Sequence, residues 1–191
     1  MTQTEQDAPD DLAGAEIIPL RLAITAMRDS GYKNTAYALA ELIDNAVQAN
    51  ATVVEVLCVE KRELVSTRER RRLHRIAVLD NGNGMDSQTL RKALQFGNGT
   101  RLDDRSGIGR FGMGLPNASI SQTRRVQVWS WQNGPDNAIR SYIDLDEIAR
   151  GSMRDVPEPL HEPVPDEWRN ISGDLGRSGT LVVWSNLDLE R

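Results

Sequence analysis

Glu41 and Asn45 stand four residues apart in the segment ALAELIDNAVQAN. In a helix this spacing places a carboxylate and an amide one turn apart on one face. An Asn carbonyl oxygen is a hard, neutral ligand suited to Mg²⁺, which keeps several waters and shares phosphate oxygens. A Glu one turn earlier can reach a water near a terminal phosphate and act as general base. The same pattern also describes an amphipathic helix with its polar residues in solvent. Asp44 and Asn45 fit that alternative poorly, because both prefer caps and turns to helix interiors.

A second group of residues follows. Ile76-Ala77-Val78-Leu79 reads as a buried strand ending in Asp80, and Asn81-Gly82-Asn83-Gly84-Met85 comes next. A carboxylate at a strand end can accept a hydrogen bond from an exocyclic amine such as adenine N6, and glycines let backbone approach a base. An ordinary strand-to-helix turn is the alternative, since Asn-Gly pairs form turns readily. A calcium loop is excluded by the missing glutamate at its last position.

The third group is Ser106-Gly107-Ile108-Gly109-Arg110-Phe111-Gly112-Met113-Gly114-Leu115. Glycines before a helix expose backbone N–H groups and a positive helix end to phosphate oxygens. Arg101, Arg105 and Arg110 add charge-assisted contacts. Gly107, Gly109 and Gly112 spell a G-x-G-x-x-G, but a polar loop precedes them instead of the first strand of a βαβ unit. No G-x-x-x-x-G-K-[ST] is present, which excludes a P-loop.

Positioning these groups requires a particular set of elements. Leu39, Leu42, Ile43, Ala46 and Val47 form the apolar stripe of the Glu41 helix, with Asn34 or Thr35 capping its start. An earlier helix covers Leu20 to Arg28 and ends at Gly31. Strands are expected around Val53–Val59, Ile76–Leu79, Arg125–Trp131 and Ile139–Leu145, the last two joined by a turn at Asn133 to Asp136. Gly151 to Arg177 reads as a long insert with a short helix. Trp129, Trp131 and Trp184 are expected in or beside the sheet. Residues 1–15 are polar and acidic without periodicity and read as a disordered arm, leaving 16–191 as one domain.

In this order the motifs resemble the nucleotide-binding domain of the GHKL superfamily of gyrase B subunit, heat-shock chaperone, histidine kinase and MutL. Glu41 and Asn45 match its first motif and Asp80, Gly82, Gly84 and Met85 its second. Gly107, Ile108, Gly109, Arg110, Phe111, Gly112, Met113 and Gly114 match the ATP lid. Ser178-Gly179-Thr180-Leu181-Val182-Val183-Trp184 resembles the last motif, whose Thr, here Thr180, joins the adenine–Asp–water network. The wording ELIDNA, GIGRFGMGL and GTLVVWSNL is nearest to MORC-type ATPases and their bacterial relatives.

The resemblance implies an α/β (α+β) two-layer sandwich of the Bergerat type. Its sheet would be mixed and mostly antiparallel, with helices on one face. It also implies an ATPase that binds ATP with Mg²⁺, hydrolyses it slowly to ADP, and acts as a nucleotide-gated switch for homodimerisation. Asp80 would select adenine, Asn45 hold Mg²⁺ and Glu41 activate water. Two alternatives remain: a binding module that does not hydrolyse ATP, and a histidine-kinase catalytic domain. The second lacks a substrate histidine on an upstream helix, since His74 and His161 are the only two.

Two departures stand out. Gln48 occupies a place that is Asp in many relatives. MORC-type, gyrase and MutL relatives also complete their site with a lysine from a following transducer domain. Lys33, Lys61 and Lys92 do not sit where that lysine would, so ATP binding is expected of this chain and hydrolysis is expected to need a transducer beyond Arg191.

Net charge is −5, which argues against a free-standing nucleic-acid binder. Any DNA or protein partner is expected through regions outside this chain. The basic run Arg68 to Arg72 is expected in a loop or ribbon between strands, as a solvated face. Cys58, the only cysteine, reads as a buried thiol in a reducing cytoplasm. Neither a signal peptide nor an apolar run near 18 residues is present, so no membrane association is expected.

Overall fold

The period-two and period-3.6 patterns fold into two layers. The computed structural model describes residues 19–32, 34–65, 68–96 and 114–188. Helices α1 (Leu20–Asp29) and α2 (Thr35–Gln48) precede strands β1 (Val54–Val65) and β2 (Arg68–Asp80). Then come α3 (Ser87–Ala93), α4 (Gly114–Gln122), β3 (Thr123–Trp131), a 3₁₀ turn (Pro135–Asn137), β4 (Ile139–Asp144) and α5 (Leu145–Ala149). Two short elements, β5 (Leu160–His161) and α6 (Asp166–Arg169), lie in the expected insert, and β6 (Gly179–Leu187) closes the sheet.

The sheet has six strands in the order β1-β2-β6-β3-β4-β5. Every pairing among the described residues is antiparallel, so the parallel component of the expected mixed sheet does not occur. The reason is the last strand. β2 and β3 run in the same direction, but β6 inserts between them and pairs antiparallel with both. Asp80, at the end of β2, thereby faces Thr180 at the start of β6.

Alternation divides the side chains between two faces. Ile76, Val78, Val126, Val128, Val182 and Trp184 pack beneath Ile24, Ala38, Leu42, Leu90 and Ile120 of α1 to α4. Trp184 also donates its indole N–H to Ser119 Oγ at 2.9 Å. Ala77, Leu79, Trp129, Trp131, Leu181 and Val183 point the other way. The insert covers them with Trp168 of α6 and with Val164 just before that helix. Arg75 lies over the Trp168 ring, 5.3 Å from its centroid, and pairs with Glu167. The longer helices thus occupy one face, as expected, and the insert closes the other.

Two expectations about the edge of the sheet need revision. Cys58 is exposed, not buried. It shares the helix-side face of β1 with Val56, which is also exposed, because the helix layer stops short of this edge strand. The strands are also longer than expected. Arg68 to Arg72 belong to β2 and pair with β1, forming a two-stranded ribbon beyond the part of β2 that β6 covers. Arg71 pairs with Glu60 and Arg72 with Glu63, each at 3.7 Å and with both side chains at least half exposed. Such pairs contribute little to stability, which agrees with a solvated face. No helix among the described residues is long and apolar enough to cross a membrane.

Candidate nucleotide site

The site starts with α2. Asn34 caps it, accepting from the Tyr37 backbone N–H at 3.0 Å. At the other end Asn50 is left-handed (φ 62°), and the Asn50 and Ala51 N–H groups bond back to Val47 and Ala46. This is the Schellman arrangement that stops a helix. The chain then holds the second motif against that terminus. The Ala49 carbonyl accepts from the Asn83 N–H at 2.9 Å, and Asn81 Oδ1 accepts from the Thr52 and Val53 N–H groups, each at 2.9 Å. Glu41 and Asn45, both half-buried, are thus held in fixed relation to the loop after Asp80.

Asp80 is buried, with 8% of its surface exposed. Its Oδ1 accepts from the Gly82 N–H at 2.8 Å, and the Thr180 N–H faces it from β6. Burial pushes its carboxyl above the ordinary value of 3.8, and the two N–H groups oppose that rise only in part. Among the described residues no cation pairs with it, and a buried carboxylate without one is costly. Such a group marks a candidate binding site.

Sequence reasoning missed a third member of this row. Ser130 lies across from Thr180 on β3, and their hydroxyls are 3.1 Å apart. Ser130 Oγ donates to the Gly179 carbonyl at 3.1 Å and accepts from the Met85 N–H at 2.8 Å. The second and fourth motifs are therefore joined through β3. The signal was a Ser between two Trp residues, at a helix-side position where alternation calls for an apolar residue.

Gly84 fits this junction because its φ is +65° and a Cβ there would overlap the Trp131 carbonyl oxygen. Gly84→Ala combines left-handed strain with a backbone clash. We expect it to destabilise the fold by about 2–4 kcal/mol, measured as a lowered midpoint in urea unfolding. An unchanged midpoint would show that the loop relaxes freely.

Gly114 begins α4, and a Cβ there would overlap the Glu41 carboxylate. α4 therefore meets α2 antiparallel, with Gly114 beside Glu41 and Gln122 beside Thr35, whose hydroxyl donates to Gln122 Oε1 at 2.8 Å. Glu41 Oε2 accepts from the Tyr32 hydroxyl at 2.9 Å. Nothing in the sequence pattern pointed to Tyr32. Burial first, and then the bond to Glu41, push the Tyr32 phenol up to about 12. Gly107, Ile108, Gly109, Arg110, Phe111, Gly112 and Met113, with Arg101 and Arg105, lie outside the described residues, as does the arm 1–15.

Contacts of Glu41 with Gly114, Ala49 with Asn83, and Asp80 with Thr180 connect the described parts of all four motifs at one end of the sheet. The model of the family described as histidine kinase-, DNA gyrase B-, and HSP90-like ATPase matches residues 32–174. The chain belongs to this GHKL ATPase family. Among curated proteins, mouse ATPase MORC2B is 40% identical over 184 residues, covering 80% of this chain and 17% of that protein. Protein MICRORCHIDIA 1 of Arabidopsis thaliana is 27% identical over 192 residues, covering 78% and 28%. The GHKL domain thus spans less than a third of the length of these relatives. A crystal structure of the N terminal domain of a DNA repair protein aligns with a TM-score of 0.55 at 16% identity, covering 86% of this chain and 39% of that one. At that identity the likeness concerns the fold alone.

Proposed function

We propose that this GHKL domain binds ATP with Mg²⁺, hydrolyses it slowly and uses the nucleotide state as a switch for homodimerisation. The observation that carries the reading is the buried Asp80 carboxylate, held by the Gly82 N–H and paired across the sheet with Thr180, beside the Glu41 and Asn45 helix. Its free acceptor capacity suits the adenine amine, and Thr180 and Ser130 hold it in register. Gly82, Gly84 and Met85 bring backbone close to the base.

The residues present also fit the metal and the phosphates. Among the described residues no cluster of three or more His, Cys, Asp or Glu could cage an ion. An ion here would be held by Asn45 and shared phosphate oxygens, the arrangement Mg²⁺ favours. When bound, Mg²⁺ neutralises charge on the phosphates. Gly107 to Gly114 would supply backbone N–H donors to those oxygens. Glu41 orients the attacking water and takes its proton. A lid ordered by the terminal phosphate is a bistable element that can expose or bury a dimer surface. Any DNA or protein partner would engage regions outside this chain.

Calorimetric titration with ATP, ADP, GTP and a non-hydrolysable ATP analogue, each with Mg²⁺, tests the reading with light scattering on the same samples. Adenine-selective binding and analogue-dependent dimers are expected. Failure to bind any adenine nucleotide would overturn the site, and binding without dimers would overturn the switch.

A further inference from the structure

We propose that Tyr32 is a positioning residue for Glu41, fixing one carboxylate oxygen so that the other is presented to water at the start of α4. The proposal rests on the reading of Glu41 as general base.

Glu41 Oε2 accepts from the Tyr32 hydroxyl at 2.9 Å, and the Gly114 backbone abuts Oε1. One oxygen is therefore taken by a side-chain donor. The other lies beside Gly114, the first residue of α4. A free Glu side chain explores several rotamers, and holding it in one conformation costs entropy unless the fold has already arranged it. Tyr32 does that from outside the helix. It precedes Glu41 in the segment between α1 and α2, not on the same helix face.

Tyr32 is itself anchored at both ends. Its backbone carbonyl accepts from Gln122 Nε2 at 3.2 Å, and its ring packs against the helix-side core. Gln122 is buried and also accepts from the Thr35 hydroxyl at 2.8 Å. α4 therefore contributes twice: its last residue holds the Tyr32 backbone and its first residue abuts Glu41. The phenol remains a donor across the neutral range, since it is pushed up to about 12. A hydrogen bond to a charged acceptor is stronger than a neutral one, and the phenol gives up no proton to the carboxylate at working pH. Glu41 is thus held without being consumed as a base.

The test compares the full chain with Tyr32→Phe, Glu41→Ala and Glu41→Gln. Readouts are ATP affinity by calorimetry, kcat by phosphate release, and the alkaline titration of ¹³Cζ-labelled tyrosines, with the Tyr32 resonance assigned from its loss in Tyr32→Phe. For Tyr32→Phe we expect ATP affinity within about twofold and kcat lower by about tenfold, the scale of a modest misplacement of a reacting group. In Glu41→Gln the Tyr32 resonance should titrate lower, moving from about 12 toward the ordinary 10.0. Full kcat in Tyr32→Phe alongside a deficient Glu41→Ala overturns the proposal and leaves Glu41 as base. Loss of affinity in step with kcat would make Tyr32 a packing residue, and an unmoved Tyr32 resonance in Glu41→Gln would show that the bond is not made. Turnover unaffected by Glu41→Ala overturns the reading of Glu41 itself and the proposal with it.

Discussion

Asp80→Ala is expected to lower ATP affinity by about 10²-fold or more, below what calorimetry can detect. A hydrogen bond to a charged acceptor contributes about 1.5–3 kcal/mol, and its loss also leaves the adenine amine desolvated without a partner. No neighbour can substitute. The hydroxyls of Thr180 and Ser130 are 3.1 Å apart and already engaged with one another. The same residue should show a conflict between binding and stability. Burial raises the Asp80 carboxyl in the folded chain above its ordinary 3.8. Its charged form therefore costs stability at neutral pH, and that cost is relieved as pH falls through the raised value toward 3.8. ATP affinity should move the opposite way, falling as the carboxyl takes up a proton. Asp80→Asn, which keeps an acceptor for the Gly82 N–H, should match or exceed the parent in thermal stability while binding ATP poorly. Undiminished affinity in either variant would remove Asp80 from the adenine site.

Glu41→Ala is expected to leave ATP binding intact and to lower turnover by about 10²–10⁴, the usual range for a positioned general base. The structure places a structural caution on this variant. Glu41 is wedged between the Tyr32 hydroxyl and the Gly114 backbone, so removing it opens space at the junction of α2 and α4. Glu41→Gln fills that space and should lose turnover comparably. A fall in kcat shared by both variants, with affinity unchanged, locates the effect in chemistry. Equal turnover in Glu41→Ala and the parent would exclude Glu41 as the base.

Much of the site was legible because its chemistry is local. The placing of Glu41 and Asn45 one turn apart follows from helical spacing, and the strand ends from apolar runs that stop at Asp80 and begin at Thr180. The superfamily resemblance rests on that order of motifs, and the match over residues 32–174 bears it out. Helix α2 is capped by Asn34, one of the two residues expected to do so. Local signals of this kind survive in one dimension because each depends on neighbours within a few residues.

What the sequence alone could not supply depends on which strand lies beside which. Burial of Cys58 was read from an apolar run, but β1 lies at the edge of the sheet and its helix-side face is uncovered. A mixed sheet was expected, yet β6 enters between β2 and β3 and makes every described pairing antiparallel. That insertion aligns Asp80, Thr180 and Ser130 in one row, so Ser130 becomes part of the site only when β3 pairs with β6. Tyr32 reaches Glu41 because α2 and α4 pack antiparallel and Gln122 holds the connecting segment in place. The sequence by itself determined the residue types, their local spacing and the family. Tertiary structure alone decided which polar groups meet. Strand order and helix packing join residues far apart in the chain, and no periodicity records those pairings.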